Sequence, residues 1–110
     1  LLDRGFEVWL TADHGNIECQ GKGRPSEGAI AETRGERVRI YPTKELRNRV
    51  GNDFTFAKQW DSAALPSEYF PLIAEKDSAF IREGDTIVGH GGISIEEVIV
   101  PFIKFERRVL

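Results

Sequence analysis

The sequence predicts a mixed α/β fold, and three of its features carry that expectation. Short runs of β-branched and aromatic residues recur along the chain, as at 6–11 and 86–88. Helix-start chemistry stands between them: Thr43 precedes a helical stretch, and Ser94 is followed three residues later by Glu97. Glycines such as Gly5, Gly51 and Gly89 punctuate the ends of these segments. With 110 residues the chain has room for one small domain and not for two.

Leu1-Leu2-Asp3-Arg4-Gly5 reads as the last turn of a helix closed by a glycine. The apolar run 6–11 follows as a buried strand, expected to be parallel, since helix, glycine, strand is half of a βαβ unit. Residues 16–35 are polar and glycine-rich, with Pro25, and read as a long mobile loop. Residues 36–41 alternate charged with apolar side chains, as a half-exposed strand does. Pro42-Thr43 leads into a helix over 44–50, with Thr43 as N-cap and Gly51 as the stop. Segment 53–68 has no clean period, although Phe54, Phe56 and Trp60 are apolar anchors. Strands near 70–75 and 78–82 flank Lys76-Asp77 and suggest a hairpin. Glu83-Gly84-Asp85 is a turn, and strand 86–88 leads into Gly89-His90-Gly91-Gly92. A capping box at Ser94 and Glu97 opens a short helix, Pro101 ends it, and 102–105 alternates as a last strand.

The formal charge of −3 gives no global field toward nucleic acid or anionic lipid. A single cysteine, Cys19, excludes an internal disulfide framework and fits a reducing compartment. No apolar run approaches the length of a membrane span, so a cytoplasmic protein is expected. There is no methionine, and the opening residues look like the end of a helix. That pattern is expected of a partial domain, residues 1–110 being a piece of a larger one.

Both histidines of the chain are followed by glycine at the end of a strand-like run, as Thr11-Ala12-Asp13-His14-Gly15-Asn16 and Ile87-Val88-Gly89-His90-Gly91-Gly92. At ordinary glycine abundance the coincidence has odds on the order of one in a hundred. Ligands of open α/β sheets bind at the C-terminal ends of strands, and glycine there leaves room for an ion to approach. A carboxylate oxygen with imidazole nitrogens suits Zn²⁺, Mn²⁺ or Fe. Asp13, His14 and His90 are therefore the candidate metal ligands. The plainer reading of each motif is a turn in which Asp13 accepts backbone N–H bonds, and a His-Gly-Gly loop before a helix.

Thr11 to Asn16 resembles the late metal-binding motif of the alkaline phosphatase superfamily. The stretch from His90-Gly91-Gly92 to Val100-Pro101 is more specific and resembles one branch, the PglZ family, as does Gly35 to Tyr41. The resemblance runs from Phe6 to about Phe105. It implies the C-terminal part of an alkaline-phosphatase-like α/β/α sandwich with a mixed sheet and short helices. It also implies two divalent ions, Zn or Mn, flanking a serine or threonine nucleophile. Carried over by position, Asp13 and His14 would hold the ion nearer the nucleophile and His90 would help hold the other. The family's early aspartate and nucleophile, and a middle Asp-x-x-x-His pair, have no counterpart in these residues. These residues alone are thus expected to be inactive, to bind metal weakly or not at all, and to need the N-terminal part of the same domain. Self-association through an exposed edge of the first strand is the further expectation.

Arg34, Arg37, Arg39, Lys44, Arg47 and Arg49 make the densest basic run. PglZ proteins are associated with bacteriophage defence, so an anion-binding or nucleic-acid face is one reading; a solvated edge strand and helix face with Glu36 and Glu45 interleaved is the favoured one. Cys19 reads as a passive loop cysteine, or else as a third ligand or reactive thiol, while Asn16 and Glu18 are candidate outer partners of His14. Glu96 and Glu97 read as capping and surface charges rather than catalytic acids. Two function classes remain: a metal-dependent hydrolase of phosphate, phosphodiester or sulfate esters, and a non-catalytic regulatory module that keeps the same fold.

Overall fold

The computed structural model describes residues 1–26 and 32–109. The fold is mixed α/β, with strands in both mixed and antiparallel sheets and two short helices among the described residues. After a single 3-10 turn at Leu2–Arg4, closed by Gly5 in the left-handed region, the elements run in chain order. They are β1 (Val8–Thr11), β2 (Ile17–Gly21), β3 (Glu32–Arg34), β4 (Val38–Tyr41), α1 (Lys44–Asp53) and β5 (Ala57–Gln59). Then come β6 (Phe70–Ala74), β7 (Ser78–Ala79), β8 (Thr86–Gly89), α2 (Ile95–Val98) and β9 (Phe102–Phe105).

The body of the molecule is a four-stranded antiparallel sheet ordered β3-β4-β6-β5, beside a three-stranded sheet ordered β7-β2-β8. All four residues of β4 are buried, which corrects the expectation of a half-exposed strand. Val38 and Ile40 pack with Ile73 on one face, and Tyr41 joins Leu72, Val50 and Phe80 on the other, under α1. The alternating charges do not mark solvent here. Arg37 and Arg39 are buried too, the latter with its guanidinium 5.7 Å from the Phe80 ring centre. Arg47 is also buried and donates to the carbonyls of Trp60 and Pro71. The basic run is therefore partly internal wiring, not a solvated face. Charge pattern alone misleads because arginine can bury its fork wherever carbonyls or a carboxylate meet it.

Thr43 caps α1 as expected, its hydroxyl accepting from the Leu46 N–H. Gly51 does not stop the helix, which continues to Asp53. A Cβ there would sit 3.3 Å from Leu72 Cδ1 and 2.8 Å from Gln59 Nε2, so the glycine lets α1 lie close on the sheet. The expected hairpin about Lys76-Asp77 is not formed. β6 pairs with β4 and β5, whereas β7 crosses to the other sheet and pairs parallel with β2. Strands occupy both ends of the expected loop 16–35, as β2 and β3, while residues 27–31 lie outside the described residues. Cys19 is accordingly no loop residue; it is fully buried on β2 with Ala79 and Ile81.

β1 was expected to be a buried parallel strand. It is antiparallel to β9, with register Val8↔Phe105 to Thr11↔Phe102, and Trp9, Leu10 and Thr11 are exposed. This two-stranded ladder stands off the body. The radius of gyration is 18.7 Å, against about 13 Å for a compact chain of this size.

Candidate metal centre

The two histidine loops meet because of β2 and β8. These strands are antiparallel, and Ile17, the first residue of β2, lies opposite Gly89, the last of β8. The loop entering β2 carries His14 and the loop leaving β8 carries His90, so one end of the ladder holds both. On sequence grounds the strands ending at Ala12 and Val88 are expected to be neighbours or near-neighbours, but β1 and β8 share no sheet. The strand after His14 does the work instead.

The two imidazoles stack face to face, with ring centres 3.7 Å apart and planes 7° from parallel. His14 Nδ1 lies 2.8 Å from the carbonyl oxygen of Gly15, which can only accept, so that contact is a hydrogen bond when Nδ1 carries the proton. Nε2 then keeps its lone pair, and it lies 3.6 Å from Asp13 Oδ1. A carbonyl that fixes the tautomer of a ligating histidine is the usual outer support of a metal site. Asp13 is exposed, its side chain 90% accessible, and His90 is exposed as well. Asn16 and Glu18, the expected outer partners, are both exposed, and His14 bonds its neighbour's carbonyl instead.

Asp13 and His14 present an oxygen and a nitrogen on the same side, a donor pair that suits Zn²⁺ or Mn²⁺. Stacked rings cannot both point lone pairs along their planes at one ion. They suit ligands of two adjacent ions, such as those of two-metal sites about 3.5–4 Å apart. Among the described residues no group of three or more His, Cys, Asp or Glu side chains converges closely enough to hold a metal. Cys19 does not contribute: burial pushes its thiol pKa up, and its Sγ donates to the Ile17 carbonyl 3.4 Å away.

Behind the histidines lies a buried ion pair that sequence reasoning missed. Glu97 on α2 and Arg37 in the turn just before β4 are 2% and 0% exposed. Arg37 Nε donates to Glu97 Oε1 at 2.8 Å and Nη2 to Oε2 at 2.9 Å, a bidentate pair. Arg37 Nη1 donates to the Ser78 carbonyl on β7. Glu97 also accepts from the Gly92 N–H at 2.9 Å, and from the Ser94 N–H and hydroxyl at 3.0 and 2.7 Å. Burial alone would raise its pKa, but the bonds from Arg37 and Ser94 outweigh burial and hold it at about 2. The Ser94 capping box was legible in sequence, and Glu97 does cap; it is not a surface charge.

The glycines after the histidines serve this packing. A Cβ on Gly15 would overlap the Glu96 carbonyl oxygen of α2, and one on Gly92 would lie 2.7 Å from Glu97 Oε2 and 2.9 Å from Arg37 Nε. They make room for α2 and its ion pair, a use different from the approach of an ion. Among the described residues no helix is long and apolar enough to cross a membrane.

No curated protein and no solved structure matches the chain significantly. Residues 1–105 do match the family model of the BREX system PglZ alkaline phosphatase-like domain, and the chain therefore belongs to that family.

Proposed function

We propose that this chain supplies the late metal ligands of a PglZ-type, alkaline-phosphatase-like hydrolase domain that acts on phosphate, phosphodiester or sulfate esters. The observation that carries the reading is the face-to-face pair of His14 and His90 beside Asp13, at the end of the β2–β8 ladder. Asp13 and His14 would hold one divalent ion, Zn or Mn, and His90 would help hold its neighbour. When bound, such ions polarise the ester's oxygens and lower the pKa of a hydroxyl nucleophile. The chain's own part is to fix the His14 tautomer through the Gly15 carbonyl and to keep both rings parallel.

Three ligands divided between two ions are too few for two closed sites. The nucleophile and the remaining ligands would come from a preceding segment of the same domain, and without it this piece is inactive. The bare β1–β9 ladder supports the same view, since it offers a surface for that segment to cover. The description of the matching family model as a BREX-system domain supports a bacteriophage-defence setting, and the free buried Cys19 is compatible with a reducing, cytoplasmic one.

Calorimetry with Zn²⁺ and Mn²⁺ tests the ligand set. Binding is expected to be weak and to drop further in Asp13→Asn, His14→Ala and His90→Ala; tight stoichiometric binding that survives His90→Ala would show the set to be wrong. In the complete domain, metal-dependent hydrolysis of p-nitrophenyl phosphate, bis-p-nitrophenyl phosphate or p-nitrophenyl sulfate is expected, abolished by the same substitutions. Stoichiometric metal binding without any turnover would favour the regulatory-module reading.

A further inference from the structure

Arg37 and Glu97 are sixty positions apart in the chain, and their side chains bond each other, Ser78, Gly92 and Ser94. Glu97 is bonded to both histidine loops at once. Its side chain accepts the Gly92 N–H, two residues beyond His90, at 2.9 Å. Its main-chain carbonyl accepts the Gly15 N–H, next to His14, at 2.8 Å. Arg37 grips the carboxylate with two parallel bonds and reaches the Ser78 carbonyl with its third nitrogen, so the pair is tied to β4 and β7 together. The Arg37 stem also runs beneath Gly89, its Cγ 3.5 Å from where a Cβ on that residue would stand.

Capping a four-residue helix needs only the Ser94 bonds, so the Arg37 and Gly92 bonds go beyond that task. Stability does not explain them either, because replacing a buried ion pair by apolar side chains of similar volume is often neutral or stabilising. What such a pair does supply is fixed geometry, through bonds whose lengths and directions leave little freedom. That geometry converges on the two loops whose rings stack.

We propose that Glu97, clamped by Arg37, is the positioning residue of the histidine pair: it pins the Gly15 and Gly92 loops to one helix turn and thereby sets the spacing of the His14 and His90 rings. Its consequence for metal binding rests on the function proposed above; the ring geometry does not.

The test uses the full chain with its histidines followed by ¹H–¹⁵N and ¹H–¹³C NMR, because stacked imidazoles shield one another's ring protons. In the native protein the ring protons of His14 and His90 are expected upfield of their free positions. The double variant Arg37→Met with Glu97→Leu removes the ion pair while keeping the volume. It is expected to stay folded by circular dichroism and to lose the upfield shifts of both histidines. Glu97→Gln is expected to do the same in part, and Val50→Ala, which loosens a remote core, is expected to lower stability and leave the shifts alone. Zn²⁺ affinity, where measurable, should fall about 10- to 100-fold in the double variant. A folded double variant with native histidine shifts overturns the proposal. Should that variant not fold, Arg37→Lys, which keeps charge and loses the fork, is read in its place by the same criterion. If the complete domain binds no Zn²⁺ while the shifts of this chain respond as stated, the metal reading fails and the positioning role stands. If Zn²⁺ binds and the shifts and affinity ignore both variants, the positioning role fails alone.

Discussion

Two parts of this small fold spend polar and apolar groups in opposite ways. At the α2 hub a full positive and a full negative charge are out of water, and each side-chain nitrogen of Arg37 and oxygen of Glu97 has a hydrogen-bonding partner. In the β1–β9 ladder Trp9, Leu10, Phe102, Ile103 and Phe105 are all 44–74% exposed, while the charges beside them, Glu7 and Lys104, are solvated surface groups 3.3 Å apart. Burial of charge is favourable only where geometry is fixed, whereas apolar exposure persists only where a covering surface is lacking. The hub is therefore complete in itself, and the ladder is half of an interface.

The largest effect should come from breaking the hub on one side. Glu97→Ala leaves the Arg37 guanidinium, 0% exposed, without its counter-charge, and should cost about 3–5 kcal/mol in chemical denaturation. A loss below 1 kcal/mol would mean that water reaches Arg37 and that the hub is not closed.

Acid attacks the same pair without mutation. The Glu97 carboxyl sits at about 2, below its ordinary value of 4.5. A lowered carboxylate pKa stabilises the fold fully above the unfolded value, and that stabilisation is lost as pH falls from about 4.5 toward 2, up to roughly 3 kcal/mol. Denaturation midpoints measured across that window should fall steeply in the native protein and hardly at all in the Arg37→Met, Glu97→Leu double variant. The ladder's Glu7, also lowered, by Trp9 and Lys104, is fully solvated and should add little to this slope.

Crowding the hub is a milder insult. Gly92→Ala pushes a methyl against Glu97 Oε2 and the Arg37 fork, and overpacking of this kind costs about 1–3 kcal/mol. Equal stability of Gly92→Ala and native protein in thermal melts would show that the loop can step back.

How far these two regions were legible in the sequence follows from how local their causes are. Thr43, Ser94 with Glu97, and the Gly5 turn were read correctly because a cap or a left-handed residue acts within a few positions. The meeting of the two histidine loops was legible, and the strands that bring them together were not: β1 looked like a neighbour of β8, but β2 lay hidden in a stretch too polar and glycine-rich to read as a strand. The Arg37–Glu97 pair was invisible for the same reason. Alternation in 36–41 signals one wet face, and only tertiary contact reveals that the charged face meets a carboxylate sixty positions away. The parallel, buried reading of β1 failed because an apolar run reports a wish for cover and says nothing about which strand provides it.

The smallest change in stability, with the clearest change in behaviour, belongs to the ladder. Trp9 and Phe102 stack with ring centres 5.0 Å apart, and Lys104 Nζ lies 5.4 Å from the indole centre. An aromatic pair of this sort is worth about 0.5–1.5 kcal/mol beyond area burial, and here Trp9 and Phe102 remain 48% and 74% exposed. Trp9→Ser should therefore shift the global denaturation midpoint little, since the body's core does not include it. A two-stranded ladder is marginal in water on its own. β1 and β9 pair as strands only with each other among the described residues, which leaves two outer edges and an aromatic face open to pairing. Self-association at micromolar concentration is the expected result for the native chain in sedimentation velocity, and Trp9→Ser with Phe102→Ser should return it toward monomer while the hub's pH profile is unchanged. If the native chain stays monomeric at high concentration and Trp9 fluorescence reports a dry indole, the ladder folds back on its own body in solution. The contrast between a closed hub and an open ladder would then be lost.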